Sequence, residues 1–277
     1  MATLTQSNPK EAETLNRLCN LPRLNPNVTR LLALSASADA ALEDFHALFG
    51  SDLSLAAELL RCANSVEFGQ RARITSIPRA LLLLGVERTR MLAATIAMGQ
   101  YTRRSAGRKE VQALWSHSLA TAAIAEEIGR VFPARPDHLY TAGLTHDLGR
   151  AGLLLIGGKQ YLEVLGRNYE NMQEAQVLEK AMLGVTHCDA GLFLAQTWQF
   201  PAVLRQCIGF HHEEATRDDE LRRVVQSACF IASELGYPEI PYCAAVPPSE
   251  MIALELGLWP MQVERLREVV EKHLKIF

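Results

Sequence analysis

With 277 residues, the chain is long enough for one large domain or two modest ones. Hydrophobic residues make up 48% and charged residues 21%, the balance of a globular protein rather than a disordered or fibrous one. A net charge of -3 disfavours a general nucleic-acid binder, and six cysteines without a C-x-x-C pair read as reduced thiols of a cytoplasmic protein.

Taken in order, nearly every stretch reads as helix, because Ala and Leu dominate and β-branched alternation is scarce. Residues 1–9 form a polar tail with no apolar signal-peptide core. A short helix is predicted over 10–19, then a turn over 21–26, where Pro22 and Pro26 cannot both sit in a helix interior. Helices follow over 28–35, from an Asp39 N-cap to Gly50, and from Ser51 or Asp52 to Ala63, ended by Asn64 and Ser65. Pro78 sits in the first turn of the next, which runs to Gly85 and continues to Met98. Its longest apolar run, 80–84, is far too short to span a bilayer. Residues 101–109 are expected to connect two halves, residues 1–105 and 106–277.

The second half opens with a helix over 110–131. A helix over 136–148 is predicted to close on His146 and Asp147, with Gly149 as a left-handed C-cap. After a loop at Gly157 and Gly158, helices are expected over 161–166, 172–183, 187–199, 201–212 and 220–235, the last stopped by Gly236. A proline-punctuated loop over 238–248 leads to helices over 249–256 and 260–274. The final one carries Val263, Leu266, Val269, Val270 and Leu274, which suits closing the core or forming a homodimer face.

The histidines of this half share a pattern. His117 lies on one stripe with Leu114, Thr121, Ile124 and Ile128, and His146 on one with Leu139 and Gly143. His187 lies with Gly191, Leu194 and Trp198, and His211 with Leu204, while His212 falls about 100° further round. One histidine on an apolar stripe is usually a satisfied core residue. Four or five on successive helices each need a partner, and one shared polar pocket satisfies them together. Imidazole with a carboxylate suits a divalent transition metal: iron, manganese or zinc. Cys62 and Cys188 read as small apolar packing residues. Residues 51–92 resemble a helix-turn-helix only superficially. Arg71, Arg73, Arg79, Arg88 and Arg90 make a basic cluster, usually a solvated face.

The stretch Ala142-Gly143-Leu144-Thr145-His146-Asp147-Leu148-Gly149 resembles the HD motif of the HD phosphohydrolase superfamily. The leucine-rich 53–65 ending in Asn64-Ser65, the 74–85 stretch around Ser76-Ile77-Pro78, Trp115-Ser116-His117 and Phe210-His211-His212 resemble the HDOD branch, the HD-related output domain of bacterial signalling proteins. The resemblance covers residues 21–235. It implies an all-α fold, an N-terminal helical bundle packed on an HD-like bundle. By motif, His117, His146 and Asp147 match the superfamily's first metal ligands, and Cys229 stands where a later Asp belongs. His187, His211 and His212 resemble the extra ligands of the related HD-GYP family, but that family's Gly-Tyr-Pro motif does not follow His212. Gly236-Tyr237-Pro238 reads as coincidence. Arg150 stands where a lysine often follows the motif, and is a candidate for ligand binding.

The resemblance thus implies a bacterial regulatory module, non-catalytic, acting on a signalling partner or small ligand rather than a membrane. The alternative is a metal-dependent phosphohydrolase acting on a nucleotide, which gains if a carboxylate elsewhere completes the site that Cys229 leaves short. A DNA-binding regulator is the third and least favoured reading.

Overall fold

The structure is a computed structural model that describes residues 9–21, 26–35, 37, 39–65, 73–102, 109–130, 138–216, 218–239 and 260–275. The fold is all-α, and no β-strand occurs among the described residues. The first half holds α1 (Pro9–Cys19), α2 (Pro26–Ser35), α3 (Leu42–Gly50), α4 (Leu53–Ala63) and α5 (Ile77–Thr102). Helices α2, α3 and α4 all pack on α5. Leu31, Leu32, Phe45, Phe49, Leu55 and Leu59 fill the space between them, fully buried.

Local chemistry sets these boundaries. Asp52 caps α4, its carboxylate accepting from the Ser54 and Leu55 amides at 2.9 and 3.2 Å. Asp39 does not cap α3. Ala41 holds that position, and the Asp44 carboxylate reaches back to its amide at 3.0 Å. Asn64 ends α4 and then clamps Ile74, accepting from its amide and donating to its carbonyl, both at 2.8 Å. Gly85, at φ 71°, kinks α5 between its two apolar runs. Tyr101 and Thr102 still belong to α5, although they were expected in the connection.

The second half holds α6 (Lys109–Gly129), α7 (Leu139–Thr145), α8 (Leu148–Leu165), α9 (Met172–Leu183), α10 (His187–Thr197), α11 (Ala202–Phe210), α12 (Glu220–Glu234) and α13 (Pro260–Leu274). Helix α6 is its axis, with α7, α12 and α13 packed along it. On α13, Leu266 and Val270 are buried, so this helix closes the core on α6. Helix α1 crosses to this half and rests on α8, α9 and α10. Lys10 and Thr14 donate to the Ala181 and Leu183 carbonyls at 2.8 and 2.7 Å, satisfying the open C-terminus of α9. Arg17 donates to the Ile156 carbonyl. The predicted helix over 249–256 lies outside the described residues.

Two expectations around His146 need correction. The helix ends at Thr145, and a new one starts at Leu148, so the chain turns at His146 and Asp147 instead of running through them. Gly149 is not a left-handed cap but part of α8, which runs on to Leu165 through a kink at Gly158. Its role is close approach. A β-carbon at Gly149 would lie 1.8 Å from the His187 carbonyl oxygen and 2.5 Å from the Gly191 amide. One at Gly143 would lie 2.9 Å from the Ala122 α-carbon. The two glycines of the motif therefore press α8 onto α10 and α7 onto α6.

Gly149→Ala is expected to destabilise by about 3 kcal/mol or more, because backbone atoms would have to move. Gly50→Ala, where nothing lies within 4 Å, should change stability by less than about 1 kcal/mol. Urea denaturation of both variants checks the contrast. A second expectation concerns α13. The Tyr140 hydroxyl lies 2.6 Å from both Thr95 Oγ1 and His273 Nε2, joining α5, α7 and α13. Burial pushes the His273 imidazole down to about 4. The unfolded chain then binds this proton first, so His273 costs stability as pH falls from about 6.5 to 4. His273→Gln should make the fall in melting temperature over that window smaller than in the wild type.

Candidate metal centre

Four helices and one turn bring the predicted residues together. His117 comes from the middle of α6, His146 and Asp147 from the α7–α8 turn, and His187 from the first residue of α10. His211 and His212 follow the end of α11, and Cys229 meets His117 and His146 from α12. Thr186 caps α10 in a capping box with Asp189, which fixes the start of the helix and so the position of His187.

Four of the five imidazoles have Nδ1 committed. His146 Nδ1 lies 2.6 Å from the Gly143 carbonyl oxygen, His117 Nδ1 2.8 Å from that of Tyr237, and His211 Nδ1 3.0 Å from that of Ile208. His187 Nδ1 lies 2.8 Å from Glu179 Oε2, which also accepts the His187 backbone amide. These oxygens only accept, so Nδ1 carries the proton and a neutral ring presents a bare lone pair at Nε2.

Three of the Nε2 atoms converge on the Asp147 carboxylate. His146 Nε2 is 3.7 Å from Asp147 Oδ2, while His187 Nε2 and His211 Nε2 are 3.9 and 3.5 Å from Asp147 Oδ1. His146 Nε2, Asp147 Oδ2 and His211 Nε2 are buried without a hydrogen bond. Acceptors facing acceptors in a core are unfavourable unless a proton or a cation lies among them.

Arg150 answers part of this. It is 1% exposed and donates from Nε to Asp147 at 3.0 Å, from Nη2 to Glu239 at 2.7 Å and from Nη1 to Glu179 at 3.4 Å. Tyr161 adds a hydroxyl donor to Glu179 at 2.9 Å. Burial opposes charge on Asp147, but Arg150 and then His146 outweigh it and hold the carboxyl well below the usual carboxylate range. Burial likewise opposes charge on Glu239, yet His212, 3.1 Å away, and Arg150 keep it ionised. Burial opposes charge on Glu179 too, but His187 and Arg150 bring it to about 2. Burial pushes His146 down to about 3 and His212 to about 4, so both are neutral at pH 7. On His211, burial is outweighed by Cys188 and Asp147, which lift it to about 10. Three buried carboxylates thus share one guanidinium.

The donors form overlapping sets. Atoms of Asp147, His187, His211, His212 and Glu239 lie within 4.8 Å of one another, as do those of His117, His146 and Cys229. A further set adds Cys188 to His187, His211 and His212. Cys188 is therefore more than packing: its Sγ is 3.5 Å from His187 Nε2. Arg150 is placed to neutralise carboxylates rather than at the surface.

Glu179, Tyr161 and Glu239 were missed. Glu179 sits on an otherwise amphipathic helix, where its burial at 0% exposure has no local signal. Glu239 follows Gly236-Tyr237-Pro238, and that turn is not incidental. Its Tyr237 carbonyl orients His117, and Glu239 comes within 3.6 Å of Cys229. The charged run after His212 did not hint at this. Of the basic cluster, Arg73, Arg79 and Arg88 are exposed, Arg90 lies 3.5 Å from Glu87, and Arg71 falls outside the described residues.

A helical bundle with a buried His-Asp pair at a helix junction, ringed by histidines from neighbouring helices, defines an HD-type protein. Residues 21–214 match the HDOD domain family, and the chain belongs to it. The fold resembles an HDOD domain protein of unknown function from Geobacter sulfurreducens, with a TM-score of 0.73 and 22% identity over 95% of this chain and 98% of that one. It also resembles a candidate signal transduction protein from Marinobacter aquaeolei VT8, with a TM-score of 0.73 and 21% identity over 96% of this chain and 63% of that one. An uncharacterized protein of Treponema pallidum (strain Nichols) is 24% identical over 246 residues, 86% of this chain. The chain spans about half the length, 48%, of this curated relative.

Arg150→Met leaves three carboxylates without their shared cation and is expected to destabilise by about 3–5 kcal/mol. Lys180→Met, which breaks the exposed Lys180–Asp189 pair, should cost less than about 1 kcal/mol. Chemical denaturation of both variants reads the difference.

Proposed function

We propose that this HDOD module is a non-catalytic regulator of bacterial signalling, acting in the cytoplasm on a partner protein or small ligand. In this reading its buried cluster serves as a structural or sensory metal centre. One observation carries it: the donors meet as unpaired acceptors in a sealed core. His117, His146, Asp147, Arg150, Glu179, His187 and His211 are each 3% exposed or less. A phosphate ester needs an open approach to its activating groups, and these groups lie inside the protein.

The residues fit a divalent transition metal. His146 Nε2 and Asp147 Oδ2 are orphaned acceptors, and committed Nδ1 atoms orient the imidazoles in the manner of metal ligands. Asp147, His187, His211, His212 and Glu239, or His117, His146 and Cys229, would hold it. Iron, manganese and zinc all accept such donors; an ion in the first set would supply positive charge to the carboxylates and join α8, α10 and α11, and one in the second would join α6, α7 and α12. The free thiols of Cys19, Cys188, Cys207 and Cys229 support a reducing compartment. Among the described residues no helix is long and apolar enough to cross a membrane.

A second reading, a metal-dependent phosphohydrolase acting on a nucleotide, is favoured by Glu239. Its carboxylate lies 3.6 Å from Cys229 and supplies the acid that position 229 lacks. A bound metal would contribute Lewis acidity toward a phosphate there.

Elemental analysis of protein purified without affinity-tag metal tests the proposal. One equivalent of iron, manganese or zinc is expected, lost in the double variant His146→Ala/Asp147→Ala. Chelation should lower the wild-type melting temperature by about 5 °C or more. Absence of metal, with no thermal shift on adding any of the three ions, overturns the metal-centre reading. Turnover of a phosphodiester by the loaded protein selects the hydrolase.

A further inference from the structure

Residues 77–84 form the first turns of α5, ended by the kink at Gly85. This segment is apolar on both faces. Ala80, Leu81 and Leu84 are buried in the core that α5 shares with α2, α3 and α4. On the outer face Leu82 is 76% and Leu83 39% exposed, one helical turn on from Arg79. A helix that is apolar all round is normally covered all round, and packing of this domain covers only the inner face. Leu53 and Val177, the other strongly exposed apolar side chains, stand singly on α4 and α9.

Positive charge is concentrated at the same place. Residues 58–90 hold six arginines against three glutamates, on a chain whose net charge is -3. Arg73 just before the helix, Arg79 within it and Arg88 just after the kink are exposed. Two of the glutamates are already matched: Glu58 lies 2.8 Å from Arg61, and Glu87 lies 3.5 Å from Arg90. Exposed leucines rimmed by charge of one sign are the mark of an interaction surface for the opposite sign.

We propose that the outer face of α5 at Arg79, Leu82 and Leu83 docks an acidic amphipathic helix of a partner protein. The proposal rests on the partner-binding reading above and names the surface and the partner's chemistry. Leu82 and Leu83 insert between apolar side chains spaced i, i+3, i+4 and i+7 on the partner helix. Arg73 and Arg79 pair with carboxylates on its flanks, which set its register. A lipid surface fits less well, because two leucines offer less apolar area than one acyl chain, itself only a marginal anchor.

The probe is a fluorescein-labelled peptide of about twenty residues, long enough to be helical, with leucines at the spacing above and glutamates on both flanks. It is titrated with the full chain and read by fluorescence anisotropy. Saturable binding is expected, weakened about tenfold or more by Leu82→Glu and by Arg79→Glu. Leu53→Glu, at an equally exposed leucine of α4, should leave the affinity unchanged. Circular dichroism and melting temperature of all three variants should match the wild type, since each altered side chain is exposed. Raising salt from about 50 to 300 mM should weaken binding, and a peptide with lysines in place of the glutamates should not bind. No binding of the acidic peptide, or binding that Leu82→Glu does not move, overturns the surface and leaves the regulatory reading standing; that reading falls separately, on phosphodiester turnover. Sedimentation in which the wild type dimerises and Leu82→Glu does not assigns the face to a second copy of this chain and overturns the proposal. Leu82-dependent binding to phosphatidylglycerol vesicles without binding to the peptide overturns it in favour of a membrane.

Discussion

The site depends on how closely α8 lies against α10. At Gly149 the approach leaves no room for a β-carbon, since the His187 carbonyl oxygen occupies that space. Gly191 answers from the other helix, where a β-carbon would meet Ile208 at 2.7 Å and the Gly149 amide at 3.1 Å. This crossing puts the first residue of α10 beside the residue just before α8, which is why His187 meets Asp147 at all. Gly143 does the same for α7 on α6 and brings the His146 ring to 5.3 Å from that of His117. Two glycines flanking a His-Asp pair thus convert four helices into one polar centre.

That centre carries a debt of charge. Burying carboxylates is tolerable only with partners of opposite sign, and here one guanidinium is shared among three. Arg150 has five donors in a planar fork and suits this better than a lysine would. It still leaves one side of Asp147 facing imidazole lone pairs. A proton on His211 relieves part of the conflict, and His146, held neutral by burial, relieves none. The remaining mismatch is what a cation fits, whether or not any chemistry follows.

The sequence revealed the class of this fold because helical periodicity and punctuation are local. Asp52, Asn171, Thr186 and Gly236 mark ends where capping chemistry puts them. The inward histidines were legible for the same reason, each lying on an apolar stripe. Gly149 was misread because a glycine after a helix-like run fits a left-handed cap equally well. Only the position of α10, a contact across some forty residues, shows that close packing is the cause. Glu179 and Glu239 were invisible for a related reason: a buried glutamate on an amphipathic helix or in a proline-rich loop looks like a solvated one until its partners are placed. Cys188 follows the same logic, its neighbours His187 and His211 being set by two helix ends.

The terminal helices extend this logic beyond the family's shared core. Helix α1 lies before residues 21–214, and α12 and α13 after them. Yet α1 rests on α8, α9 and α10, which carry Arg150, Glu179 and His187. Helix α13 rests on α6, which carries His117, and α12 contributes Cys229. Lys10, Thr14 and Arg17 each donate to a carbonyl at a helix end or kink of this half. A centre that loses or gains a charge must be accommodated by the helices that bear it, and those helices are the ones the two termini hold. The cluster and both ends of the described fold are therefore tied together by direct packing, so a change at the buried site bears on the helices that the termini hold.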